Sequence, residues 1–427
     1  MKTDRRAFLG TAAAGAVALG QAARGARAAE PRKTLKLGVI GVGWYGMVDA
    51  KAALKVGGTE IAAICDVDSD HLAKSADELE KLQGKRPTTF KLYEEMLAEP
   101  LDAVIIGSPP HWHALHLIAA LDRGLDVYCE KPLSYDVREG RAMVDAVKKS
   151  NRVVQIGFQR RQSRSFAEVK DFIASGGIGN LVQVDAQIHY RAGTKDPTPQ
   201  DPPPSLDWDL WCGPGPKIPY SPQVGHHNWR LEKTSGHGHL VDWGIHWIDS
   251  IRMMLGLGVP RQFTAAGGIY LYQGKITTPD TLTVHFEFDK LPVVWRHRLW
   301  GSTEYAPETN NGIFLYGDGG TVFANDRQWT FIPPGKDAKR QQHDAPAELG
   351  TLHMENFLEC VRTRKQPDCP AEEAFRTTST VQLAMIAQET SSVVNWDAAA
   401  EQIPDNPAAA TLLKREYREP WKHPFQG

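Results

Sequence analysis

The stretch LKLGVIGVGWYG, Leu35–Gly46, decides the fold. Leu35–Ile40 is a short apolar run with a β-branched end and reads as a buried strand. Gly41-Val-Gly43-Trp-Tyr-Gly46 follows at once, and Met47–Val56 reads as a helix. Strand, G-x-G-x-x-G and helix in that order form a dinucleotide-binding fingerprint. Gly41 permits the tight turn, Gly43 lets the backbone approach a pyrophosphate, and Gly46 lets the helix pack close to the strand. Trp44 and Tyr45 lie between the last two glycines and join them as candidate cofactor contacts. The unpaired N–H groups at the helix start complete a phosphate site.

The pattern continues outward. Glu60–Cys65 is a second strand, ending at Asp66, 20 residues after Gly46. An acid there hydrogen-bonds the adenosine ribose and repels a 2′-phosphate, which favours NAD over NADP. Ala103–Gly107 is a third strand, and Ser108-Pro-Pro-His-Trp-His113 opens the next helix. Leu125–Cys129 is a strand ending in Glu130-Lys131-Pro132, and Val153–Ile156 closes the unit. Alternating strands and helices with short links predict a doubly wound parallel sheet, a Rossmann domain over 34–156. Ligands of such sheets sit beyond the carboxyl ends of the strands. Ser108, His113, Glu130 and Lys131 all lie there and are candidate cofactor contacts.

The first 28 residues read differently. Arg5-Arg6-Ala-Phe8-Leu9 precedes a modest stretch of Ala, Gly, Leu and Val, and Ala26-Arg27-Ala28 has the form of a cleavage site. This is a secretory signal of the twin-arginine type, too short and too weakly apolar to span a bilayer. The expectation is export to the periplasm or beyond, through the twin-arginine machinery and without a membrane anchor. That route carries folded proteins, so a cofactor bound in the cytoplasm could travel with the chain. Past residue 28, 44 basic groups face 50 acidic ones, a charge of −6. A mildly acidic body argues against a nucleic-acid partner and against adhesion to anionic lipid. Five cysteines without a C-x-x-C pair exclude a zinc ribbon. Cys360 and Cys369 are close enough to bridge, although two unrelated small residues is the better reading.

After residue 157 the rhythm changes. Val182–His189, Arg261–Leu271, Thr281–Phe288, Val293–Leu299, Gly312–Tyr316 and Thr321–Ala324 read as strands without intervening helices. The last two flank Gly317-Asp-Gly-Gly320, a hairpin signal. The expectation is an α+β domain over 157–394 with a large, mostly antiparallel open sheet, then an irregular polar tail over 395–427. Residues 191–227, rich in Pro and Gly, form a long pocket-shaping loop. Met354–Arg362 and Ala371–Val393 read as helices. Trp44 and Trp112 are the tryptophans expected in the pocket.

The segment SGHGHLVDWGIHWID, Ser235–Asp249, carries the densest chemistry. Asp242 and His246 are four apart, on one face of a helix. Three readings compete: a histidine base beside a carboxylate, a metal site of His237, His239, Asp242 and His246, or satisfied structural residues. Beside a nucleotide fold the first is favoured, with no metal.

These residues resemble the Gfo/Idh/MocA oxidoreductase family. The matches are Gly41-x-Gly43-x-x-Gly46, Glu130-Lys131-Pro132 after a strand, and Asp242-x-x-x-His246 behind a Gly-rich loop. His237 and His239 interrupt the glycine run usual in that loop. Trp211-Cys-Gly-Pro-Gly-Pro216 and Tyr417-Arg-Glu-Pro-Trp421 resemble exported members. The resemblance implies NAD as cofactor, and a sugar or polyol held between the Rossmann domain and the second sheet. It makes Lys131, Asp242 and His246 catalytic, and Arg160 and His189 substrate contacts. Oxidising an alcohol requires removal of the O–H proton as hydride leaves carbon. A histidine suits the base, and an ammonium suits the developing alkoxide. The expected activity is exported NAD(P)-dependent oxidation of a sugar, polyol or glycoside hydroxyl, with the nicotinamide tightly bound. The alternatives are a redox-neutral NAD-dependent glycosidase and, further off, a His/Asp metal-dependent hydrolase. Fold analogy adds a homo-oligomer.

Overall fold

The computed structural model describes residues 33–225, 228–301 and 310–426. The leader at 1–28 lies outside them.

Six parallel strands form the first sheet: β1 (Leu35–Ile40), β2 (Thr59–Cys65), β3 (Thr88–Phe90), β4 (Ala103–Ile106), β5 (Asp126–Glu130) and β6 (Val154–Gly157). Their order is β3-β2-β1-β4-β5-β6. β1 therefore sits between β2 and β4, with Ile40 in register with Cys65 and Ile106. The order reverses at β1/β4, and a ligand crevice opens beyond the strand ends at such a point. The central strands are continuous apolar runs because helices cover both faces. The first helix spans Tyr45–Val56 and starts two residues earlier than Met47, so Gly46 sits in its first turn. A Cβ on Gly46 would lie 2.0 Å from the Gly41 carbonyl oxygen, and one on Gly107 would lie 2.6 Å from the Gly46 Cα. Only glycine allows this helix to approach β1 and β4 so closely.

The second sheet has nine strands: β7 (Leu181–His189), β8 (Gln262–Gly268), β9 (Thr281–Glu287), β10 (Pro292–Arg298), β11 (Asn311–Gly317), β12 (Gly320–Ala324), β13 (Gln328–Ile332), β14 (Gln341–Asp344) and β15 (Val394–Asn395). Their order is β14-β13-β12-β11-β7-β10-β9-β8-β15. β7 and β10 run parallel and every other neighbouring pair antiparallel. Gly317 pairs with Gly320 across the expected hairpin. β9 and β10 alternate in burial: Leu282, Val284, Phe286, Val293 and Trp295 point into the core, and His285 and Arg296 point out. This face is completed by the helices Ile245–Leu255 and Ala371–Thr390.

Two C-terminal helices tie the sheets together. Ala371–Thr390 packs on the helix Val137–Ser150 of the first half and on β8 of the second. In Leu349–Thr363, Met354, Phe357 and Leu358 share a core with Leu37, Ile61 and Tyr128. The chain thus returns to the first sheet far beyond residue 157, the point where the sequence rhythm changes. The tail holds a short helix, Pro407–Thr411, and then runs extended. All five cysteines are buried and unpaired, so no bridge joins Cys360 to Cys369. No helix among the described residues is long and apolar enough to cross a membrane.

Candidate active site

A cavity of ≈ 320 Å³ opens at the carboxyl ends of β1, β2, β4 and β5. That volume suits a small-molecule site. One end is built mainly from backbone. Gly41 takes φ +82°, where a Cβ would meet the Ser108 nitrogen at 2.6 Å. Gly43 lines the wall, and a Cβ there would meet the His71 ring first, at 2.6 Å. Trp44, Tyr45, Asp66 and Ser108 line the same space. Asp66 accepts from Val42 N at 2.8 Å and Asp68 N at 3.0 Å, which fixes its carboxylate at the end of β2. Burial pushes its pKa up. A bare glycine turn, a helix start and an anchored acid fit a dinucleotide. Gly46 stands behind the wall as the packing residue.

The other end is built from side chains. Lys131 follows β5, and its Nζ donates to Asp242 Oδ1 at 2.8 Å and to the Asp242 carbonyl. The Arg230 Nε lies 3.1 Å from Asp242 Oδ2. Asp242 is largely withdrawn from solvent but not fully buried, and Lys131 and Arg230 hold its carboxyl down at about 2. It sits in a π-helical turn, Leu240–Gly244, that runs directly into the α-helix carrying His246. Such turns recur at functional sites. His246 also lines the cavity. Burial, then Arg160 and Lys131, push its pKa well below the usual histidine range, so the ring is neutral. Its buried Nδ1 has no partner. Asp242 therefore serves Lys131 and Arg230 and does not orient His246. Arg160 lines the cavity with its guanidinium over Trp243 and Trp247, at 5.1 and 4.9 Å from the ring centres.

Glu130 is buried at the junction of the two ends. It accepts from Gln159 Nε2 at 2.5 Å and Lys131 N at 3.2 Å. Burial pushes its carboxyl up to about 7 against the pull of Lys131. Asp49 nearby is pushed up by burial and by Glu130, and the Tyr45 hydroxyl by burial and by both acids. This group resists collecting negative charge.

Two expected contacts stand elsewhere. His113 is fully buried, bridging the carbonyls of Pro132 at 2.8 Å and Ser108 at 2.7 Å. It braces the cavity wall and does not line it. His189 ends β7 outside the lining, where burial and Arg298 lower its pKa to about 4. Arg161, next to Arg160 in the chain, forms a core ion pair with Asp249 at 2.7 Å, so of these two arginines only Arg160 lines the cavity. The four-residue metal reading finds no ligand set. His237 Nε2 bonds the Tyr135 carbonyl at 2.9 Å, and His239 packs on Tyr190 and His297. Among the described residues the one group with ligand atoms close together is Asp136, Glu139 and His423, away from the cavity.

Sequence reasoning missed Arg230, Trp229, Trp211 and Trp421, all lining the cavity. Arg230 lies between Trp229 and Trp44, at 4.4 and 4.8 Å. The Trp229-Arg230 pair was visible in the chain, but nothing local placed it opposite Asp242.

Fold and cavity define a nucleotide-binding protein in which a Rossmann sheet is joined to a second, mostly antiparallel sheet. Residues 35–158 match the model described as "Oxidoreductase family, NAD-binding Rossmann fold". Residues 166–323 match "GFO/IDH/MocA C-terminal domain", and 301–423 match "Oxidoreductase family, C-terminal alpha/beta domain". The chain belongs to the Gfo/Idh/MocA oxidoreductase family. It is 34% identical over 149 residues to inositol 2-dehydrogenase 3 of Saccharopolyspora erythraea, 34% of this chain and 42% of that enzyme. The matched stretch is thus less than half of that relative's length. It is 27% identical over 336 residues to myo-inositol 2-dehydrogenase of Thermotoga maritima, 77% of this chain and 84% of that enzyme. Among solved structures, levoglucosan dehydrogenase in complex with NADH and levoglucosan shares the fold, with a TM-score of 0.66 at 18% identity over 87% of this chain and 100% of that one.

Proposed function

We propose that this chain is an exported, NAD-dependent dehydrogenase of a secondary hydroxyl on a sugar or polyol. The observation that carries the reading is the convergence of Lys131, Asp242 and His246 in one cavity with the glycine turn and Asp66. NAD, when bound, supplies the hydride acceptor. His246, neutral and unpaired, takes the hydroxyl proton. The Lys131 ammonium, held by Asp242, stabilises the oxygen as it becomes negative. Tryptophan walls and paired cations suit a compact ligand rich in hydroxyls. The relatives' inositol and levoglucosan substrates support that class. The twin-arginine leader supports export, and the partly exposed outer face of the second sheet supports self-association, read by light scattering of the purified chain.

The test is NADH formation across a panel of inositols, anhydrosugars and glycosides. Wild-type turnover that disappears in Lys131→Ala and in His246→Ala, with NAD affinity retained, is the expected result. Wild-type rates in either variant overturn the assignment. Replacing Arg5 and Arg6 by lysine tests export: the precursor should stay in the cytoplasm.

A further inference from the structure

We propose that a two-piece strap, formed by segment 203–213 and the chain end 414–423, closes the nucleotide side of the cavity and holds the dinucleotide as a non-exchanging prosthetic group. This rests on the dinucleotide reading above.

The first piece is zipped to the chain just past Asp66. Ser69 N donates to Ser205 O at 3.0 Å, Asp207 N donates to Val67 O at 3.0 Å, and Asp68 forms a bridge with Leu206. Lys91 adds an ion pair to Asp207. The segment then turns inward, so that Leu210 and Trp211 line the cavity. It is fastened to the opposite wall by Trp112 Nε1, which donates to the Leu210 carbonyl at 3.1 Å, and by His111 Nε2, 2.8 Å from the Trp211 carbonyl. The segment therefore spans the crevice from the end of β2 to the helix that follows β4.

The second piece fastens the first. Arg418 donates to Asp209 Oδ1 at 2.9 Å and to the Gly213 carbonyl at 3.0 Å. Trp421 stands edge-on to Trp112, 5.6 Å between ring centres, and lines the cavity. The chain end is moored by Arg415, which is partly buried, pairs with the fully buried Glu139 at 2.7 Å and donates to the His111 carbonyl at 2.7 Å. Tyr417 donates to the same Glu139 at 2.8 Å.

Burying an arginine and a glutamate is costly even when they are paired. These polar moorings lie outside both sheets. What they achieve is to press Trp211 and Trp421 against the ligand space. A ligand beneath them leaves only when the Arg418–Asp209 contacts open, so strap opening limits its release.

The test loads the full chain with NAD, removes free nucleotide by gel filtration, adds excess radiolabelled NAD, and follows both label uptake and the dinucleotide released on denaturation. The wild type should keep its original dinucleotide. Arg418→Ala and Trp421→Ala should exchange it at least about tenfold faster, since such changes act mainly on release. Circular dichroism confirms that both variants are folded, and Trp421→Phe should restore retention. If the wild type exchanges within mixing, or both folded variants match a retaining wild type, the strap proposal fails and the dinucleotide site stands. If the wild type neither takes up nor releases dinucleotide, the underlying reading fails.

Discussion

The two ends of the cavity are built by different means. At the glycine end the floor is made of backbone turns and one carboxylate, drawn from Gly41 to Asp66 with Ser108 beside them, and is fixed mainly by local geometry. At the Lys131 end the contacts are long side chains from β5's end, the loop at Arg230, the π-helical turn at Asp242 and the helix at His246. The first end is rigid because glycine turns and strand ends admit few conformations. The second is held by ion pairs that reach across 111 residues of chain, as in Lys131 to Asp242. A site assembled in this way separates holding a nucleotide from reacting with a partner molecule.

If that separation is real, changes at the two ends should have different signatures. The largest expected effect is Lys131→Ala. It removes the ammonium beside Asp242, and turnover should fall on the order of a thousandfold, as for loss of a positioned electrostatic or proton-transfer group. NAD affinity from tryptophan fluorescence should change by no more than about threefold. An equal loss in both quantities would break the contrast.

Asp66→Ala should do the reverse. Losing a charged hydrogen-bonding group should weaken NAD by roughly tenfold to a hundredfold. Turnover at saturating NAD should persist. Fluorescence titration followed by steady-state kinetics separates the two.

Glu130→Gln probes the junction through pH. The carboxyl sits near 4.5 when free and is pushed up to about 7 by burial. Below pH 4.5 it is protonated in both folded and unfolded chains and carries no penalty. As pH rises toward 7 the unfolded chain ionises first, and the folded state loses stability. The glutamine variant lacks this loss, so its melting temperature relative to the wild type should climb between about pH 5 and 8. A flat difference would place Glu130 in a wetter setting than the structure gives it.

Gly43→Ala should have the smallest effect on stability, within about 1 kcal/mol, because the atoms nearest the added methyl belong to the His71 side chain and not to backbone. NAD binding should still weaken, since the methyl stands where the backbone must be bare. Urea unfolding with and without NAD reads both quantities.

Much of the fold was legible because its signals are local. The run Leu35–Ile40, the glycines at 41, 43 and 46, and the spacing to Asp66 each follow from what a few consecutive residues can adopt. The hairpin at Gly317–Gly320 and the alternation in β9 and β10 are local in the same sense. Lys131, Asp242 and His246 were found as motifs, and the structure places all three at one cavity. Their partnership was not legible. A spacing of four set Asp242 beside His246 on one helix face, whereas the carboxylate turns to Lys131 and Arg230. His113 and His189 sat at strand ends like true contacts, but a side chain's direction there depends on which carbonyl or neighbour captures it.

By itself the sequence determined the doubly wound sheet, the nucleotide turn and the chemical types at the reactive end, because backbone conformation and periodic burial are set by near neighbours. Tertiary structure alone decided which cations share Asp242. It also decided that helix Leu349–Thr363 returns to the first sheet, and that Trp211 and Trp421 close the nucleotide side. Those outcomes depend on contacts between segments far apart in the chain, whose encounter is fixed by the packing of both sheets and carries no mark in the residues nearby.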